Sequence, residues 1–447
     1  MPLLMDTEPA YNLALDYLYS FVDYSLKKSS ELAKADFNLD RMRELMVRLG
    51  NPEQKYPCIH VAGTKGKGST SALMASALTS AGYKTGLYTS PHLQDYVERI
   101  QVDGKSISHA QLIELVDQVK PHVEAVPKLT TFEITTAIGF LFFAQQNVEA
   151  AVIEVGLGGR LDATNILTPR VSVITSLSYD HMAVLGNTLT LIAGEKAGII
   201  KHGVPVVSSP QQDEAWAVLE RVAGERHAPL TLIGREVVFE PRGHSIQSQM
   251  LTISVREPLS SKSKSVILRL PLLGYHQAVN AATAYAALMV SRLDIPEDAI
   301  ASGFAGVKWP CRFEIVRQVP PVILDSAHNL DSFEKLAQTL EEYFPGKPVI
   351  LITGSSEDKD VAGMLATLKG RLKLVIATKA VHPRAVEPEK IVEAATNLHL
   401  QAEIAVPVGY ALSSALDLSA RAGEIVLSAG SMFVTAEVKT AWEAMHK

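Results

Sequence analysis

Cysteine is almost missing from this chain: Cys58 and Cys311 are the only two in 447 residues. They are far apart and outside any metal-ligand spacing, so neither a disulfide framework nor a cysteine-type zinc site is suggested, and a reducing compartment fits. No apolar run approaches the ~18 residues of a membrane span. Before Lys27 there is no lysine or arginine, while Asp6 and Glu8 stand near the start, the wrong charge for a secretory leader. A cytoplasmic protein without a membrane partner is expected. An excess of one charge is lacking too, since 42 basic and 48 acidic residues leave a formal charge of −6, which argues against a nucleic-acid partner. Repeats and low-complexity tracts are absent at any length that matters.

What remains is a globular composition with 47% hydrophobic and 20% charged residues. Single cores stop growing near ~250–300 residues, so two unequal domains are expected. Apolar residues recur at helical spacing from Ala10 to Leu26 and from Leu39 to Leu49, before Gly50, Pro52 and Pro57 end the pattern. Cys58–Ala62 reads as a buried strand, followed by a glycine-rich turn and a helix over Ser69–Ala81. Strand-like runs at Ala151–Val155, Val171–Thr175 and Val204–Ser208, with helix-length sequence between them, predict a mainly parallel sheet. Residues 229–270 change character: runs at 231–233, 237–239 and 251–253 predict antiparallel strands appended to that first domain, with Ser260–Ser265 as a flexible turn. A helix over Ala278–Val290 and a connection near Lys308-Trp309-Pro310 lead to strands at Val322–Leu324, Val349–Thr353, Leu374–Thr378 and Ile425–Leu427. The expected architecture is α/β throughout. It comprises a mainly parallel sheet domain with an antiparallel appendage over 1–307, then a smaller doubly wound domain over 308–447.

Gly63-Thr64-Lys65-Gly66-Lys67-Gly68-Ser69-Thr70 is the strongest local signal. Closely spaced glycines let backbone N–H groups face phosphate oxygens, Lys67 adds a point charge, and the helix that follows presents its positive end. The strict G-x-x-x-x-G-K-[ST] pattern is not met, because Val61 stands at its first glycine and Gly68 separates Lys67 from Ser69. Glu154 closes an apolar strand and precedes Gly156-Leu157-Gly158-Gly159-Arg160-Leu161-Asp162-Ala163-Thr164-Asn165. An acid at the carboxyl end of a parallel strand faces the crevice where ligands bind and suits Mg²⁺. Asp180-His181 follows another strand end, where a histidine serves as ligand, as orienting group or as filler of a polar loop. Lys196, in Glu195-Lys196-Ala197-Gly198-Ile199-Ile200, reads either as an exposed helix lysine or as a buried one with a depressed pKa, a paired charge or a modification. Asp325-Ser326-Ala327-His328-Asn329 at the first strand end of domain two is either a ligand loop or a turn and helix cap.

Together with Ser90-Pro91-His92-Leu93 and Glu98-Arg99-Ile100, these segments resemble, in order and spacing along nearly the whole chain, the folylpolyglutamate synthase/dihydrofolate synthase family within the Mur ligase superfamily. The resemblance implies a P-loop-type first domain, a Rossmann-like second domain and a monomer. It also implies ATP- and Mg²⁺-dependent joining of L-glutamate to folate or dihydropteroate through an acyl phosphate. By the same resemblance Thr64, Lys65, Gly66, Lys67, Gly68 and Ser69 hold the triphosphate, and Asn280, Arg312, Asp325 and His328 are further nucleotide contacts. Ser90, Glu154, His181 and Lys196 become the metal positions, Lys196 as a carbamate, and Lys67, Glu154, His181 and Lys196 the catalytic set. Thr130, Thr131 and Phe132, with Leu161, Asp162 and Ala163, match the pocket for the pterin end of the substrate. Lys65, Ser326 and Cys311 depart from the family's usual asparagine, glycine and glycine. Another Mur-type amino-acid ligase, or an ATP-driven switch that makes no bond, are the competing readings.

Overall fold

The computed structural model describes residues 7–23, 38–256 and 264–446. The turn expected at Ser260–Ser265 and the end of the first expected helix fall largely outside them. The contacts divide the chain into two units. One comprises 1–240, 251–269 and 279–307, and the other 241–250, 270–278 and 308–447. Among the described residues no helix is long and apolar enough to cross a membrane.

The first unit is built on β1 (Cys58–Ala62), β2 (Thr85–Tyr88), β3 (Ile100–Val102), β4 (Lys105–Ser106), β5 (Ala150–Glu154), β6 (Val171–Ile174), β7 (Val206–Ser208) and β8 (Leu230–Leu232). Their order is β4-β3-β2-β5-β1-β6-β7-β8. From β2 to β8 every neighbour pair is parallel, while β3 and β4 run antiparallel at one edge. β1 and β5 are buried along their whole length, as strands of a parallel sheet covered on both faces are. Residues 231–233 correct an expectation: instead of opening the antiparallel appendage, β8 pairs in parallel with β7. The helix Asp213–Glu225 between them is the crossover that a parallel pair requires.

The helix Lys67–Ser80 lies on this sheet under the helix Glu297–Gly306. Their approach is set by Gly303, where a Cβ would stand 2.4 Å from the Ala77 Cα, and Ser76 Oγ donates to the Gly303 carbonyl at 2.7 Å. Small residues on both helices therefore let the helix after the glycine turn pack closely against its neighbour. On the far side the helices His109–Glu124 and Thr131–Gln145 bury Leu112, Val119, Phe140 and Phe143 in the larger core.

β9 (Val237–His244), β10 (Gln249–Val255) and β11 (Lys264–Leu270) form a separate antiparallel sheet. In the second unit β12 (Glu314–Gln318), β13 (Pro321–Leu324), β14 (Val349–Thr353), β15 (Leu372–Ala377), β16 (Ala402–Ile404) and β17 (Ile425–Ser428) are ordered β12-β13-β17-β14-β15-β16. All pairs are parallel except β12–β13, and helices alternate with the strands, as the doubly wound reading requires.

Candidate active site

β1 ends at Ala62 and the chain turns through Gly63–Gly66 into the helix Lys67–Ser80. Gly66 has φ +87°, and a Cβ there would lie 2.2 Å from Asn280 Oδ1. Only glycine allows both the left-handed backbone and the close approach of that carboxamide. No side chain caps the helix, so the first-turn amides of Lys67, Gly68 and Ser69 point out of its positive end. Thr64 and Lys65 are engaged differently. Both amides donate to the Ser176 carbonyl, at 2.9 and 3.1 Å, while the Thr64 hydroxyl donates to the Ser178 carbonyl at 3.1 Å and accepts from the Ser178 amide at 3.2 Å. These contacts stitch the turn to the loop after β6. That loop carries Asp180, whose Oδ2 pairs with Lys65 Nζ at 3.2 Å, and His181, exposed and left-handed at φ +49°.

Across the sheet edge, Lys67 Nζ stands 3.9 Å from Glu154 Oε1. Glu154 is buried at the end of β5, and its Oε2 accepts from the Ser90 amide at 3.3 Å. An ammonium beside a carboxylate suits a metal-bound phosphate: Glu154 would hold the cation and Lys67 would face the phosphate. Among the described residues no group of three or more His, Cys, Asp or Glu side chains gathers to hold a metal. Mg²⁺ at a nucleotide keeps waters and phosphate oxygens and takes only one or two protein carboxylates, so Glu154 fits that coordination better than an all-protein cage would.

Lys196 lies near the end of the helix Leu189–Ala197 with 5% of its surface exposed, not on the outer face. Its Nζ donates to the Gly63 carbonyl at 2.9 Å. Burial, then the charge of Lys67, lowers its pKa to about 7, with Lys65 acting the same way and Asp180 and Asp162 against. Neighbouring Glu195 faces away and pairs with Arg160 at 2.9 Å.

The residues matched to a pterin pocket are mostly committed to the fold. Thr130 caps the helix Thr131–Gln145 in a reciprocal box with Glu133, itself paired to Arg41 at 3.3 Å, and the Thr131 hydroxyl donates to the Leu18 carbonyl at 2.9 Å. The Phe132 ring lies against Gly156, where a Cβ would meet it at 2.5 Å. Asp162 is buried, and its carboxylate accepts from the Leu157 amide and from the amide and hydroxyl of Thr164. Burial pushes its pKa up against those hydrogen bonds. Leu161 is half-buried and Ala163 buried on either side.

In the second unit, Asp325 follows β13 and ties the approach segment to the strand end. Its Oδ2 accepts from the Phe313 amide at 2.8 Å and its Oδ1 from Ala327 at 2.7 Å. Burial raises its pKa, opposed by those bonds and by the Arg312 guanidinium. His328 Nδ1 lies 2.8 Å from the Ser326 carbonyl, just ahead of the helix capped by Asn329. A recess at the carboxyl ends of β14, β15 and β17 is lined by Ser355, Lys379, His382, Ser431 and Phe433 among others. Each strand-end loop supplies two to four of its residues, so no single stretch of sequence outlines it.

Residues 61–288 match the Mur ligase middle domain and residues 311–432 the Mur ligase glutamate ligase domain. The dihydrofolate synthase/folylpolyglutamate synthase of Bacillus subtilis is 41% identical over 345 residues, covering 74% of this chain and 78% of that protein. Among solved structures, Mycobacterium tuberculosis folylpolyglutamate synthase, complexed with ADP and AMPPCP, superposes with a TM-score of 0.87 at 32% identity, covering 97% and 98% of the two chains. The Escherichia coli protein in complex with DHPP and ADP gives 0.84 at 31% identity, covering 98% of each.

Proposed function

The chain belongs to the dihydrofolate synthase/folylpolyglutamate synthase family of Mur ligases, and from that premise we propose that it binds ATP and joins L-glutamate to a folate through an acyl phosphate. The observation that carries this reading is the placement of Lys67 and Glu154 side by side at an uncapped helix N-terminus on the carboxyl edge of a parallel sheet. In the first step a folate carboxylate oxygen attacks the γ-phosphorus and ADP leaves. In the second the glutamate amine attacks the acyl carbon, loses a proton, and phosphate departs.

The protein's part is positioning and charge neutralisation. Lys67 and the amides of Gly66 to Ser69 hold the phosphates, and Asn280, Arg312, Asp325 and His328 are assigned to the remainder of the nucleotide. Thr64 and Lys65 keep the turn in shape, Lys65 through its pair with Asp180. Glu154, with Ser90 and His181, would hold Mg²⁺, which would neutralise charge on the transferring phosphoryl group. Lys196 is assigned as a carbamate that extends this metal site. Phe132, Leu161 and Ala163 face the pterin end, on a frame fixed by Thr130, Thr131 and Asp162. The working form is a cytoplasmic monomer.

The discriminating experiment is substrate dependence. ATP turnover should require both a folate and glutamate and release phosphate in step with amide formation, with dihydropteroate and reduced folates assayed as separate acceptors. Phosphate release without either substrate would favour a nucleotide switch instead. Glu154→Gln should raise the Mg²⁺ concentration for half-maximal activity by about tenfold or more, and His181→Ala should shift it in the same direction. Metal-dependence curves unchanged in both variants would make these residues structural.

A further inference from the structure

His60 lies in the middle of β1 with no exposed surface, and neither phosphate binding nor phosphoryl transfer uses it. Its Nε2 is 2.8 Å from Thr164 Oγ1, 104 residues along the chain. Thr164 is also fully buried, and its hydroxyl donates to Asp162 Oδ1 at 2.5 Å. The direction of both bonds follows by elimination. Asp162 already accepts from main-chain amides on each oxygen, from Thr164 on Oδ1 and Leu157 on Oδ2, and an amide cannot accept. As an ionised carboxylate Asp162 only accepts, so the one hydroxyl proton of Thr164 goes to it, which leaves only the hydroxyl's lone pairs for His60. Nε2 must carry the imidazole hydrogen. Nδ1 is buried with no hydrogen-bond partner, and burial, helped by Lys201, lowers the ring's pKa to about 3, so the ring stays neutral in one tautomer. A leucine would fill the same space without burying an unpaired nitrogen, so volume alone does not account for histidine here.

We propose that His60 is a positioning residue for the pterin end of the acceptor. Its Nε2–H locks the Thr164 hydroxyl onto Asp162, and that lock holds the turn from Gly156 to Thr164 in the shape presented to the Phe132 ring. The inference rests on the reading of Phe132 and Leu161–Ala163 as the ring pocket. Asp162 is the node: donors that include the Leu157 amide and the amide and hydroxyl of Thr164 fix the two ends of the turn to each other through one carboxylate. Gly156 at its start lies in contact range of Phe132.

The test uses the full-length enzyme and separate Michaelis constants for acceptor, ATP and glutamate. His60→Leu and Thr164→Val, which break the link from opposite ends, should each raise the acceptor KM by roughly tenfold while the ATP KM stays within about twofold. His60→Gln, whose amide N–H reaches about as far as Nε2–H, should recover most of that loss. An acceptor KM unchanged in both link-breaking variants, the three constants moving together, or glutamine behaving like leucine would each overturn the proposal. Phe132→Ala separates the two layers of argument. If it raises the acceptor KM while the link-breaking variants do not, the His60 inference alone fails. If Phe132→Ala leaves that KM unchanged, the pocket reading falls and takes the inference with it.

Discussion

Lys67→Ala is expected to lower kcat by roughly 10²–10³-fold with the fold intact, the range found when one preorganised charge or donor is removed from a transition state. Lys67 opens its helix at an end that no side chain caps, and its ion pair with Glu154 spans 3.9 Å. Removing the ammonium leaves the buried Glu154 carboxylate without that charge, which costs stability, and relief of a positive charge at a helix N-terminus offsets part of it. The variant should fold with a lowered thermal midpoint. Charge spreads onto the γ-phosphoryl oxygens only as transfer proceeds, so the loss should fall on kcat more than on the ATP KM. Single-turnover phosphate release together with a melting curve makes the check, and wild-type turnover in a folded variant would refute the assignment of this loop to phosphate.

Lys196→Ala should be about as damaging, at least ~10²-fold, and for a different reason. With a pKa of about 7, much of the Lys196 amine is neutral at slightly alkaline pH, and the neutral amine is the form that attacks CO₂. Forming the proposed carbamate would make an N–C bond, release a proton and leave a carboxylate, which would turn a repulsive group beside Lys67 into an attractive one. A short carboxylate should partly rescue Lys196→Ala, whereas Lys196→Arg, fixed in its charge, should stay inactive. Stability carries the same signature. In the unfolded chain the amine holds its proton to about 10.5, while in the folded chain it releases it near 7. Between those values the unfolded state binds more protons, so stability rises with pH and levels off above about 10.5. Lys196→Met should flatten that rise. A bare ammonium at Lys196 in crystals grown at neutral or higher pH, with no ¹³C-carbamate resonance in solution, would sink the proposal.

What could be read from the sequence was whatever lay within one short segment. The run Ala150–Glu154 is apolar until its last residue, so both the buried strand and the acid at its edge were legible. So was the glycine turn before Lys67. β2, with a glycine inside a four-residue strand, and the two-residue β4 carry too little periodicity to register. Residues 230–232 look the same in either kind of sheet, and only the helix before them marks the pairing as parallel. Lys196 was ambiguous because a helix lysine between alanine and glutamate says nothing of what covers it. The Gly63 carbonyl that receives it comes from a turn 133 residues away. Long-range pairs such as Lys65 with Asp180 and His60 with Thr164 leave no mark in either local sequence, and the hydroxyls of Thr130 and Thr131 proved to be bound up in helix capping and backbone contacts.

The contact between Gly66 and Asn280 also bears on inheritance. The volume that a methyl group at position 66 would need is already taken by the Asn280 carboxamide, so the two sites compete for one space. Trimming residue 280 makes room but discards an assigned nucleotide contact, and the left-handed backbone at 66 still penalises any side chain. Neither position offers a neutral first step toward changing the other. In a saturation library selected for ligase activity, 66 and 280 should therefore both stay fixed, with no compensating double variants.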